Sequence, residues 1–213
     1  MEKHQFTGAK EYLEKSFLEE LSYKIWSTKG ARFTADKRLR KKAIISNITL
    51  AIISAYLIIT SLISVFGIDG GKNDNIINYV ITALSIMILV INQFENSQDY
   101  KLNAKNFHDC GLELSEIYNE LRIFKTLKNN KTEFETYTFI KNLSIKYQNI
   151  LKNYKNHSPI DYKVFQISNL NYFKDISKST VRKTKFMFYW EVYGWYTIMI
   201  LLIPVLIILI KIE

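Results

Sequence analysis

The chain has 213 residues and carries 29 Lys and Arg against 20 Asp and Glu, a formal net charge of +9. Its single cysteine, Cys110, excludes an intramolecular disulfide, and the scarcity of Gly and Pro argues against a turn-rich β protein. The basic balance favours anionic partners, either lipid head groups or nucleic acid.

The N-terminal segment, residues 1–42, combines an amphipathic pattern with a basic flank. Leu13, Phe17, Leu21 and Ile25 recur every four residues and predict an amphipathic helix that lies on the membrane or against the cytoplasmic helical hairpin. Six basic residues near its end are candidates to anchor the chain at anionic lipid or to contact another anion: Arg32, Lys37, Arg38, Arg40, Lys41 and Lys42.

Three apolar runs are long enough to cross a bilayer, which takes about 20 residues. Ala43–Phe66 and Ile76–Phe94 contain no charge and predict a transmembrane hairpin over residues 43–94. Trp190–Ile210, within the segment 186–213, predicts a third span that opens with an aromatic belt. Each run has a buried core helix as its alternative, but length and hydropathy favour the membrane.

The distribution of basic residues predicts the orientation of these spans. Lys and Arg cluster before the first span and again before the third, at 182–185, whereas the loop 67–75 carries one Lys and two Asp. By the positive-inside rule, the N-terminus and the segment 95–185 are cytoplasmic.

The cytoplasmic segment 95–185 predicts an antiparallel helical hairpin. Apolar residues recur at alternating spacings of three and four, so that each arm must pack on the other arm or on a neighbouring subunit. The first arm is expected to continue the second span as one long helix, and Pro159 ends the second arm. The seam that would support assembly comprises Phe107, Leu114, Ile117, Leu121, Phe124, Ile140, Leu143, Tyr147 and Ile150.

Patterns typical of an enzyme are missing from the sequence. There is no phosphate-binding glycine loop and no nucleophile elbow. His108 and Cys110 lie two residues apart without a second pair of ligands, so a packed Cys beside a polar His is favoured over zinc. We therefore expect no catalytic site, no metal, no cofactor and no small-molecule substrate.

Small polar residues form a stripe on each of the first two spans. The residues concerned are Asn47, Ser54 and Ser61 in the first span, and Asn78, Thr82, Ser85 and Asn92 in the second. One interpretation is that they join helices, each bond contributing roughly 0.6–2 kcal/mol. The other is that several copies of the chain line a wet pore. The stripes alone favour the first interpretation.

A resemblance to a known family changes that balance. The order of a helix ending in ARFTADKRLRKK, a two-span hairpin and a helix opening with NQFENSQDYKLNAKNFHDCGLELSEIYNEL resembles the SLATT family of bacterial two-span membrane proteins. The extra C-terminal span is similar to that of a branch encoded beside reverse transcriptases. The resemblance implies no catalytic residues. It implies an effector that perforates the bacterial inner membrane when phage infection is sensed, which favours the pore.

These observations predict an all-α membrane protein with three spans and a cytoplasmic helical domain. Its predicted function is that of an oligomeric pore-forming or membrane-disrupting effector of anti-phage defence that causes growth arrest or cell death. It would contact membrane lipids and copies of itself, and a cytoplasmic defence protein or a nucleic acid would trigger it. The alternative is a non-conducting anchor that recruits a cytoplasmic partner such as a reverse transcriptase.

Overall fold

The computed structural model describes residues 16–66, 74–127, 132–201 and 204, and throughout these ranges the regular structure is helical. The predicted all-α membrane class is confirmed. The α-helices are α1 Phe17–Val65, α2 Asp74–Ser97, α3 Tyr100–Thr126, α4 Glu133–Asn153, α5 Pro159–Ser168 and α6 Lys178–Tyr189. A π-helical turn at Trp190–Gly194 follows α6, and the helical backbone then continues through 195–201.

The longest element, α1, joins the amphipathic N-terminal segment to the first predicted span. It runs for 49 residues without a break, since no proline interrupts it. Gly30 lies within it where the ring of Phe165 approaches the backbone, and a Cβ there would meet that ring at 2.0 Å. Of the two positions predicted for this amphipathic segment, packing against the hairpin is confirmed by Leu21 and Ile25, and lying on the membrane is wrong; Leu13 falls outside the described residues.

The second span and the first arm of the hairpin are separate helices. Between α2 and α3, Asp99 takes a positive φ of 48°, which a short polar side chain tolerates. The amides of Gln98 and Asp99 bond to carbonyls three residues back, which tightens the end of α2. The prediction of one continuous helix is wrong for this reason.

The chain divides into two compact units. The bundle unit comprises the described residues of Met1–Leu39 and Leu102–Phe188, and the span unit those of Arg40–Lys101 and Tyr189–Glu213. The divisions predicted from the sequence fall after residues 42, 94 and 185.

The core of the bundle unit combines the start of α1 with both arms of the hairpin. Leu21 and Ile25 of α1 contact one cluster whose other buried members are Cys110, Leu114, Ile117, Leu121, Leu143 and Ile150. Of the predicted seam, Phe107 is also buried, while Phe124, Ile140 and Tyr147 are half-buried. The seam is thus filled within one chain, and the prediction that it supplies a surface for subunit assembly is wrong.

The helix α5 begins as its sequence dictates. Pro159 is at its first position, where the missing N–H is tolerated. Asp161 accepts a hydrogen bond from the Ser158 backbone amide at 3.0 Å, which closes a capping box. The helix places Phe165 edge-on to Trp26 of α1, with ring centroids 4.8 Å apart. The aromatic stretch that follows Pro159 is therefore partly helical and packed on α1.

The span unit turns its large apolar side chains outward. Ile53, Leu84 and Met199 form a small buried cluster, whereas a larger set is exposed. That set includes Ile58, Ile59, Leu62, Ile86, Leu89 and Val90. Two helical stretches, Phe17–Val65 and Asn78–Thr126, contain a window apolar enough to cross a membrane. Of the third predicted span, Trp190–Ile210, positions 202, 203 and 205–210 lie outside the described residues, as does the loop 67–73.

Candidate functional site

Most of the polar-stripe residues face away from the chain. Asn47, Ser54, Asn78, Thr82, Ser85 and Asn92 are exposed, and Ser61 is half-buried. One of them joins two helices of the chain, as the packing interpretation predicts, because Asn78 Oδ1 of α2 accepts a hydrogen bond from Ser64 Oγ of α1 at 3.2 Å. The other exposed residues of the stripes can contact another copy of the chain, lipid or water.

An open groove in the span unit brings the two stripes together. Ser54 and Ser61 of α1 and Ser85 of α2 line it, with an apolar remainder formed by Leu57, Ile58, Leu62 and Ile81. Its volume is about 420 Å³. Asn47, Asn78, Thr82 and Asn92 are not part of its lining. The structure thus selects three of the seven candidates as a common polar surface.

Two of the three groove hydroxyls donate hydrogen bonds within their own helices. Ser54 Oγ donates to the carbonyl of Leu50 at 2.8 Å, and Ser85 Oγ donates to the carbonyl of Ile81 at 2.7 Å. Outside the groove, Thr82 Oγ1 donates to the carbonyl of Asn78 at 2.8 Å. Such bonds let a hydroxyl lie in hydrocarbon without a partner helix. Each oxygen keeps lone pairs, so the groove offers acceptors to water or to a cation.

Elsewhere in the span unit, Glu95 is a buried carboxylate that the sequence analysis missed. It is 7% exposed, and its Oε2 accepts hydrogen bonds from Ser46 Oγ and from the Tyr196 hydroxyl, both at 2.7 Å. One turn along α1, the buried Thr49 hydroxyl finds no hydrogen-bond partner among the described residues. Glu95 thus connects α1, α2 and the helical stretch 195–201.

Glu95 was overlooked because the second apolar run ends at Phe94, one residue earlier. A signal was nevertheless present, since an ionisable residue at the edge of a span is unusual and generally has a partner. Sequence alone gives no means of finding that partner, because Tyr196 lies 101 residues away.

The basic flank of α1 is divided between two environments. Arg38 is buried and forms a bidentate pair with Asp161, with Nε–Oδ1 at 2.8 Å and a second bond at 2.9 Å. Arg32 is fully buried and donates to the Lys155 carbonyl and to Asn156 Oδ1. The prediction that these two arginines contact lipid is wrong, because both complete the bundle unit.

The other four basic candidates lie nearer the surface. Lys37, Arg40 and Lys41 are exposed. Lys42 is half-buried, with its ammonium 5.4 Å from the centroid of the Tyr100 ring. Because exposed cations at the end of an apolar run suit anionic head groups, the anchoring prediction stays open for these residues.

His108 and Cys110 do not converge on a common point. His108 Nδ1 lies 3.1 Å from Asp36 Oδ2, whereas the Cys110 side chain is fully buried in the core of the bundle unit. Burial raises the pKa of the Cys110 thiol to about 11, so that it stays protonated. Among the described residues, no group of three or more His, Cys, Asp or Glu is placed to hold a metal ion.

The fold defines the class of protein: an all-α membrane protein with apolar spans and a separate polar helical unit. The model of the family described as SMODS and SLOG-associating 2TM effector domain family 5 matches residues 14–210. The chain belongs to this family, which confirms the SLATT resemblance, and it is a defence-associated membrane effector. Comparison with curated proteins and with solved structures found no match.

Proposed function

We propose that this effector oligomerises in the bacterial inner membrane and perforates it when phage infection is sensed, causing growth arrest or death of the cell. The N-terminus and the bundle unit lie in the cytoplasm. The observation that carries the proposal is the groove that Ser54, Ser61 and Ser85 line among the exposed apolar side chains of the span unit.

The polarity of the groove favours water over lipid. Three hydroxyl oxygens retain acceptor capacity on a surface that lipid tails cannot hydrogen-bond. One chain cannot enclose a conducting path with this open groove. Several copies arranged around an axis with their grooves inward would enclose it, in the manner of channels lined by small polar side chains.

The positive flank supports the orientation. Exposed Lys37, Arg40 and Lys41 precede the apolar part of α1, as expected of a cytoplasmic membrane border. In this arrangement the bundle unit is available to a cytoplasmic trigger, either a defence protein encoded nearby or a nucleic acid.

The proposal is tested by filling the groove. The double variant Ser54→Leu/Ser85→Leu places bulk on both walls, while Thr82→Leu makes a similar change at an exposed position outside the lining. Membrane potential is followed in cells that express each protein with its genomic neighbours, before and after phage infection. We expect rapid depolarisation for the wild type and for Thr82→Leu, and loss of at least about nine-tenths of it for the double variant.

Two results would count against this function. One is undiminished depolarisation by a double variant that is confirmed to be inserted. The other is an unchanged potential for the wild type under every condition, including infection.

A second function, the non-conducting anchor, is favoured by a different surface. Phe134 and Tyr137 of α4 are 76% and 62% exposed, which suits a protein partner such as a reverse transcriptase. A fragment of residues 97–185 cannot test this, because Leu21, Ile25 and Arg38 of α1 complete its core. The full chain carrying Phe134→Ser/Tyr137→Ser is therefore used to test the anchor function. The anchor predicts loss of both partner capture and defence, whereas groove filling leaves both intact.

A further inference from the structure

The bundle unit contains a half-enclosed polar pocket that the proposed function does not use. Its volume is about 240 Å³. The start of α3 and the end of α4 form it, with Asn103, Asn106 and Phe107 on one side and Asn153, Tyr154 and Lys155 on the other. The three α3 residues share a helix face, since they are spaced by three and four.

A buried cation lies directly behind this pocket. The guanidinium of Arg32 is 5.5 Å from the centroid of the Phe107 ring and donates to the Lys155 carbonyl, so it contacts two lining residues. The side chain is 0% exposed, and its hydrogen-bond acceptors, Lys155 O and Asn156 Oδ1, are both uncharged. Its Nε finds no acceptor in the described part of the chain.

The charge of Arg32 is therefore only partly compensated. The carboxylate that attracts Arg32, Asp161, is already held by Arg38 in a bidentate pair. Burying a cation without a paired anion costs several kcal/mol. An anion in the adjoining pocket would lower that cost, because Coulomb attraction is weakly screened inside a protein.

The side chains that line the pocket also suit a ligand with hydrogen-bonding edges and a flat ring, which a simple anion lacks. Three carboxamides supply both donors and acceptors, the combination that reads the edge of a heterocyclic base. The half-buried Tyr154 supplies an aromatic wall of the kind on which bases pack, whereas Phe107 is 8% exposed. Tyr154 is fixed by donating to Glu113 Oε1 at 2.6 Å. That bond raises the pKa of Tyr154 to about 12, so the phenol stays neutral.

We propose that this pocket binds a mononucleotide-sized ligand, a heterocyclic base joined to a phosphate. The carboxamides of Asn103, Asn106 and Asn153 contact the base. The phosphate lies at the open side near Lys155, within the field of Arg32. This inference does not depend on pore formation, because it concerns binding to the bundle unit.

The experiment measures binding to the full chain in detergent micelles by equilibrium dialysis. The probes are AMP, GMP, CMP and UMP, the four matching nucleosides, and inorganic phosphate. We expect at least one nucleotide to bind about tenfold or more tightly than its nucleoside and than phosphate. No binding by any nucleotide up to millimolar concentration, or equal binding of phosphate, would overturn the proposal.

Two variants locate the site. Asn106→Leu removes a carboxamide from the lining, and Asn119→Leu makes the same change at an exposed position of α3 outside it. We expect about a tenfold loss of nucleotide affinity for the first and none for the second, with unchanged thermal unfolding for both. Equal losses, or no loss in either, would show that the nucleotide binds elsewhere.

Discussion

The bundle unit and the span unit are built from helices of the same spacing, but they bury opposite surfaces. In the bundle unit the large apolar residues Leu114 and Leu121 are fully buried. In the span unit comparable residues, Ile58 and Leu89, are 62% and 64% exposed. The spacing of apolar residues therefore shows that a helix has an apolar face, but it does not show whether that face contacts protein or lipid. The residues on the opposite face indicate which of the two it contacts, since they are charged in α3 and uncharged through most of α2.

Charge is handled differently in the two units as well. In the bundle unit Asp161 is 0% exposed and has a bidentate arginine partner. In the span unit the buried Glu95 is bonded by two neutral hydroxyls. Loss of one partner should therefore be most costly in the bundle unit, where a full charge is left uncompensated.

The largest expected effect follows from Asp161→Asn. It leaves Arg38 buried without its carboxylate, which should lower the free energy of unfolding by about 3–5 kcal/mol. Thermal unfolding of the full chain in detergent, followed by circular dichroism, measures it. The matched control is Glu120→Gln, which breaks a half-exposed pair with Lys146 and should cost under ~1 kcal/mol. Similar losses for both variants would mean that the buried pair contributes no more than a surface pair.

A second pair of variants compares two faces of one helix. Leu114→Ala empties a position that is 0% exposed and should cost about 2–5 kcal/mol. Leu112→Ala, two residues away and 48% exposed, should change stability by ~0.5 kcal/mol or less. The same unfolding measurement decides between them. A reversed order would contradict the packing of α1 against the hairpin.

The smallest of these effects is expected in the span unit. Ser46→Ala removes one of two hydroxyl donors to Glu95 and should cost about 1–3 kcal/mol. Ser54→Ala removes a hydroxyl that bonds only to its own helix and should be nearly neutral. The unfolding midpoints of both variants in one detergent test this. If Ser46→Ala is as neutral as Ser54→Ala, Glu95 does not hold the three helices together.

Part of the candidate site could be predicted and part could not. The serines at 54, 61 and 85 were recognisable because small polar residues stand out within an apolar run. The burial of Arg32 and Arg38 and the exposure of Lys37 and Arg40 could not be predicted, because all four residues belong to one basic cluster. Their side chains point in different directions around α1, and only the packing of α5 and of the α4 end determines which of them are buried.

The sequence by itself determined the helical class and the two apolar spans, because these depend on local spacing and on uninterrupted hydropathy. The family was recognisable from the order of these elements and from the motifs that flank them. The tertiary structure decided which partners the polar residues find. Arg38 meets Asp161 across 123 positions, and Glu95 meets Tyr196 across 101. Such contacts depend on how whole helices pack, so neither residue's immediate neighbours in the chain specify them. The same reason explains why the apolar seam, which was visible in the sequence, proved to be filled by α1 of its own chain.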